Sequence, residues 1–72
     1  MLIRYKVTEI TNTEVPYVDK TKDIPSGWEL TSPRELAGKK LWMITATAIN
    51  GVPTAYNGNN KWSDPNLISI IQ

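Results

Sequence analysis

The chain has 72 residues, with eight basic and seven acidic side chains, a net charge of +1, and neither histidine nor cysteine. That excludes a disulfide framework, a thiol nucleophile, a zinc–thiolate site and imidazole-based acid–base chemistry. The evenly mixed charge leaves no basic footprint for nucleic acid. No apolar run approaches the roughly 18 residues a membrane helix needs, so no membrane insertion is expected. Arg4, Lys6 and Glu9 break up the region where a secretory leader would lie.

Residues 1–72 read as a single small module. A chain this short buries only roughly 60% of its extended surface, so its core is thin and a neighbour or second copy is expected to complete it. Threonine (8), isoleucine (8), asparagine (6) and proline (5) dominate, a mixture suited to strands joined by turns.

Leu2 to Ile10 alternates, with Ile3, Tyr5 and Val7 on one face and Arg4, Lys6 and Thr8 on the other. This predicts a half-buried strand with the apolar set inward. Asn12-Thr13 reads as a turn. Glu14 to Val18 reads as a short extended piece, held at a sheet edge by Pro16. Asp19 to Gly27 is loop, and Trp28 to Thr31 a brief strand.

Ser32 to Gly38 carries the one helical signal: a capping serine, Pro33 at the first position, Glu35 to close a capping box, and a glycine stop. One short helical turn over residues 33–37 is the expectation. Lys40 to Ile49 is the strongest strand. Trp42, Ile44, Ala46 and Ala48 line one face, and the opposite face is also fairly apolar, as in a strand covered on both sides. Asn50-Gly51 is a turn pair suited to positive φ. Val52 to Tyr56 returns, Asn57 to Asn60 turns again, and Leu67 to Ile71 forms a last strand with Ile68 and Ile70 on one face. The whole predicts an all-β fold, a small antiparallel sandwich of five or six short strands. Its structural core is expected at Tyr5, Val7, Trp42, Ile44, Ala46, Trp62, Ile68 and Ile70.

Two resemblances refine this. Leu36, Gly38, Trp42, Ile44, Ala46, Ala48, Asn50, Gly51, Trp62, Ser63, Pro65 and Ile68 fall in the order seen at the end of a fibronectin type III module. The resemblance implies an immunoglobulin/fibronectin type III-like sandwich, truncated, because a full module has about 100 residues. Trp42 stands where that family has its corner tyrosine, and an indole donates a hydrogen bond but accepts none. Over nearly its whole length the chain is also similar to a short fibronectin type III-like module of tailed-phage and prophage tail proteins. Tyr5-Lys6-Val7, Pro25, Gly27-Trp28, Pro33, Gly38-Lys39-Lys40-Leu41-Trp42, Asn50-Gly51 and Trp62-Ser63-Asp64-Pro65 carry that likeness.

The tail resemblance implies a non-catalytic structural or interaction module of a tail tip, fibre or minor tail protein, located in the virion. It also implies a contribution to host-surface recognition. Its partners would be other tail-protein domains or copies of itself, or a cell-surface glycan or protein. The alternative is a carbohydrate- or protein-binding adhesion module of a bacterial surface protein, extracellular and part of a longer chain.

The candidate binding surface is Tyr56, Asn57, Asn59 and Asn60, a polar loop with an aromatic flank, together with Trp28, whose flat ring could stack on a sugar. Against these stand the plainer readings, a solvated turn at 57–60 and core packing for Trp28 and Trp62, and the plainer readings are favoured. No catalytic residue, metal ligand or cofactor is expected. Asp19, Thr21 and Asp23 have the alternation of a calcium loop but lack its glycine and terminal glutamate, and Lys20 and Lys22 oppose a cation. Glu29 and Glu35 form no glycosidase pair, since Glu35 serves the cap. Arg34, Lys39 and Lys40 read as a solvated face.

Overall fold

The structure is a computed structural model describing all residues 1–72. Five strands form: β1 (Leu2–Glu9), β2 (Lys39–Ala46), β3 (Ala48–Ile49), β4 (Val52–Pro53) and β5 (Asn66–Ile71). They make a three-stranded antiparallel sheet in the order β1-β2-β5 and a two-stranded ribbon of β3 and β4. The fold is all-β and sandwich-like. Its second layer consists of the ribbon and the long loops 10–38 and 54–65 rather than a second full sheet. The thinnest dimension of the molecule, 17 Å, leaves room for one sheet and one such layer about 10 Å away.

Lys39 to Ile49 divides at Thr47, which leaves the main sheet so that Ala48–Ile49 can pair with Val52–Pro53. Asn50 (φ 52°) and Gly51 (φ 78°) both occupy the left-handed region, as the tight hairpin between them requires. Asn12 turns the chain through its side chain, whose Oδ1 accepts the Glu14 N–H at 2.9 Å. On the far side of β1, Tyr5 and Glu29 exchange both backbone hydrogen bonds, at 2.8 and 2.6 Å. The predicted strand at Trp28 to Thr31 is therefore a single bridge.

The helical turn expected over 33–37 does not form. The segment is bend and loop up to a turn at Ala37-Gly38, where the Lys39 N–H bonds to the Leu36 carbonyl at 3.0 Å. Ser32 Oγ donates to the Pro33 carbonyl rather than capping a helix. The stretch is too short to offset the unfavourable nucleation of a first helical turn.

Register overturns part of the expected core. Leu2, Arg4, Lys6 and Thr8 lie opposite Ala46, Ile44, Trp42 and Lys40, so the polar side of β1 shares the inner face with the buried side of β2. Tyr5 and Val7 stand on the other face, half-buried with Ile3 and Met43 around the buried Leu41. The inner layer explains the inversion. It is built of loops, whose carbonyls and indole rings need polar partners. Lys6 Nζ donates to the Gly27 carbonyl at 3.1 Å, Thr8 Oγ1 accepts the Trp42 indole N–H at 2.9 Å, and the Arg4 guanidinium lies 5.5 Å from the Trp62 ring centroid.

The core cluster is Val18, Trp28, Trp42, Ile44, Ala46 and Trp62, with Leu2 packed against it. Ile44 and Trp62 are 0% exposed. Ile68 and Ile70, also expected in the core, are 45% and 51% exposed. A bulge in β5 explains Ile68: Leu41 pairs with Ser69 and Trp42 with Leu67, so Ile68 is the extra residue. Ile70, opposite Lys40, keeps the inner-face register but lies on the open edge beyond the core cluster.

Candidate functional site

The loop 54–65 begins with Thr54, whose N–H and hydroxyl both donate to the Thr47 carbonyl, at 2.9 and 3.2 Å. From that anchor the chain runs into the polar turn. Asn57 and Asn60 bridge, the Asn60 N–H donating to the Asn57 carbonyl and the Tyr56 N–H to the Asn60 carbonyl, each at 3.0 Å. Gly58, at φ 60°, supplies the left-handed residue inside this turn. Tyr56 is 61% exposed, and its hydroxyl donates to the Trp62 carbonyl at 3.3 Å. Asn57 and Asn59 are exposed and Asn60 is half-buried. Four of the five expected surface residues are thus brought together on one ordered turn.

Trp28 is not part of that surface. It is buried in the core, and its indole N–H donates to the Tyr17 carbonyl at 3.0 Å. Each of the three tryptophans has the same arrangement: a buried ring and an N–H that pins a distant stretch of chain. Trp42 reaches Thr8, and Trp62 reaches the Lys22 carbonyl at 2.8 Å. Buried indoles need such partners, and in this fold they replace the disulfides a small loop-rich domain would otherwise use. None of the three rings offers a free face to a sugar.

The remaining charged groups near the loops are tied together. Lys20 Nζ lies 2.7 Å from Asp64 Oδ1, Lys61 Nζ lies 2.5 Å from Asp23 Oδ1, and Lys39 pairs with Glu9. The Asp64 carboxylate holds the Lys20 ammonium pKa above its ordinary value. Asp19 accepts the Thr21 hydroxyl and N–H, at 2.7 and 3.1 Å, which holds its pKa below the ordinary carboxylate value. Asp19 and Asp23 therefore close loops.

A second exposed feature was not singled out from the sequence: the outer edge of β5. It lies at the end of the sheet, and no backbone hydrogen bond reaches its far side. Leu67, Ile68, Ile70 and Ile71 are all substantially exposed, and the strand Asn66–Ile71 contains neither charge nor proline. The signal was present in the run Leu-Ile-Ser-Ile-Ile, but only the sheet order shows that nothing pairs beyond it.

No family model, curated protein or solved structure matches the chain.

Proposed function

We propose that this chain is a non-catalytic interaction module of a phage or prophage tail, docking on a neighbouring tail-protein domain or a second copy of itself through β5 and displaying the Tyr56–Asn60 turn toward the host surface. The free edge of β5 carries this reading. Natural edge strands are blunted by charges, prolines or covering loops, and this one has only its bulge at Leu67–Ser69. An unpaired row of N–H and C=O groups flanked by aliphatic side chains is a template for strand addition.

The sheet order supports the reading too. In the order β1-β2-β5 with antiparallel pairing throughout, the strand bearing Trp42 is flanked by an earlier strand and the final one, as in the C-F-G half of an immunoglobulin-type sandwich. The residues that carry the tail resemblance fall on structural points: Trp28, Trp42 and Trp62 in the core and Asn50-Gly51 at the hairpin. Burial of Trp28 counts against the alternative, a glycan-binding adhesin that stacks sugars on its tryptophans.

Sedimentation equilibrium of the wild type and Ile70→Lys tests the docking edge. The wild type should associate at high concentration, and the lysine variant should remain monomeric with an unchanged far-UV spectrum. A wild type that stays monomeric on its own, and captures no strand from purified tail proteins of the same virion, would refute it. Antibodies against the chain that fail to label tails of virions from the producing host would refute the tail assignment.

A further inference from the structure

One cavity opens on the inner side of the molecule, where three distant segments meet: the start of β1, the loop at Asp23-Ile24, and the β3–β4 hairpin. Its volume is about 260 Å³, roughly the share of nine liquid waters and a little below the range of drug-sized sites. Leu2, Ile24, Val52 and Pro53 supply apolar walls, and Arg4 and Asp23 the polar groups. Gly51 completes the lining.

The two charges are not equivalent. Asp23 is neutralised by Lys61 at 2.5 Å. Arg4 takes part in none of the ion pairs of the fold. It stands half-buried on the inner face of β1, opposite the fully buried Ile44. Its guanidinium lies over Trp62, and its one hydrogen bond goes from Nη1 to the adjacent Ile3 carbonyl, at 2.9 Å. A guanidinium has five N–H donors in a planar fork, and one of them alone is taken up within the protein. The guanidinium rests over the indole, Arg4 lines the cavity, and apart from the Ile3 carbonyl no acceptor in the fold takes its donors.

From this geometry we infer that the cavity is a binding site for a carboxylate with a short aliphatic tail, the carboxylate seated on the Arg4 fork and the tail against Leu2, Ile24 and Val52. Arginine and carboxylate match in a two-point hydrogen bond, and the walls favour an apolar chain over a polyanion. The same chemistry comes from a free short acid or from the C-terminal residue of a peptide. This site is separate from the β5 edge and does not depend on the tail reading.

Amide-detected NMR titration tests it, with isocaproate and its neutral isostere isocaproamide, and with Ala-Ala-Leu bearing a free or an amidated terminus. Isocaproate should shift the Gly51 and Val52 amides and the Arg4 Nε–H saturably, with a dissociation constant on the order of millimolar for so small a ligand. Isocaproamide should not. A matching response to the free tripeptide but not its amide would extend the site to peptide termini; silence there would restrict it to free acids. Arg4→Gln should abolish saturation. Should that variant fail to fold, Ile24→Asp decides: Ile24 is 80% exposed, and an aspartate there would compete for the Arg4 fork without disturbing the core. No saturable response to isocaproate, equal response to acid and amide, or binding that survives Ile24→Asp would overturn the assignment.

Discussion

Replacing Trp62 by phenylalanine isolates how far the indole anchors hold this fold together. Trp62 is fully buried, its ring faces Arg4 at 5.5 Å, and its N–H reaches the Lys22 carbonyl, 40 residues back along the chain. Phenylalanine keeps one aromatic ring in place. It loses the hydrogen bond, a net effect of about 1 kcal/mol, and apolar volume comparable to one or two methylenes, about 0.8 kcal/mol each. The cation–π contact with Arg4 also weakens, by about 0.5 kcal/mol. The sum is a destabilisation of about 2–3 kcal/mol, against a total stability of about 4–11 kcal/mol expected at this chain length. Urea unfolding followed by far-UV circular dichroism reads the change without relying on the fluorophore removed. With a slope of about 1 kcal/mol per molar urea for a domain of this size, the midpoint should fall by about 2–3 M. A midpoint within about 0.5 M of wild type, at the same slope, would mean that the loop 19–24 is held by something other than this indole.

Other outcomes follow from the same contacts. Thr8→Val keeps the shape of the side chain but strips the acceptor from the Trp42 N–H, and should cost about 1–3 kcal/mol in the same assay; an unchanged midpoint would show that the indole finds another partner. Asn59→Ala, on the exposed tip of the turn, should change stability by less than about 0.5 kcal/mol, and a large loss would mean the turn is part of the packed layer. The Thr21 amide proton should titrate with an inflection below 3.8, since its bond to Asp19 favours the carboxylate. The stabilisation from that contact is fully present above pH 3.8 and is lost as pH falls through the depressed folded value. An inflection at or above 3.8 would contradict the hydrogen bonds described.

Much of the fold was legible where local chemistry and tertiary context agree. The strand through Trp42, Ile44 and Ala46, the Asn50-Gly51 hairpin and the all-β class follow from alternation and turn preference, and each is present. The face of β1 was not legible. Alternation assigns Arg4, Lys6 and Thr8 to solvent by polarity, but the layer they meet is made of loop carbonyls and indole edges, for which polar side chains are the better partners. The same misreading concealed Arg4 as a cavity residue. Ile68 was misplaced because a bulge leaves no trace in hydropathy, and Ile70 because alternation does not show that β5 lies at an open edge. Of the two roles open to Trp28, burial decides for core packing, since a tryptophan beside a loop looks alike whether it faces out or in. At residues 33–37 local cap signals were real residues without enough chain between them to make a helix.

The register of β1 with β2 has a consequence for how the molecule is made. Leu2 must find Ala46, and the core cluster they join is complete only once Trp62 is in place. During synthesis β1 therefore emerges with no partner, and the residues up to Ala46 must leave the ribosome before its ladder can close. With its contacts so dominated by distant pairs, the domain belongs at the slow end of two-state folders. Its aliphatic strands are most vulnerable to wrong pairing until Trp62 and β5 have joined the fold.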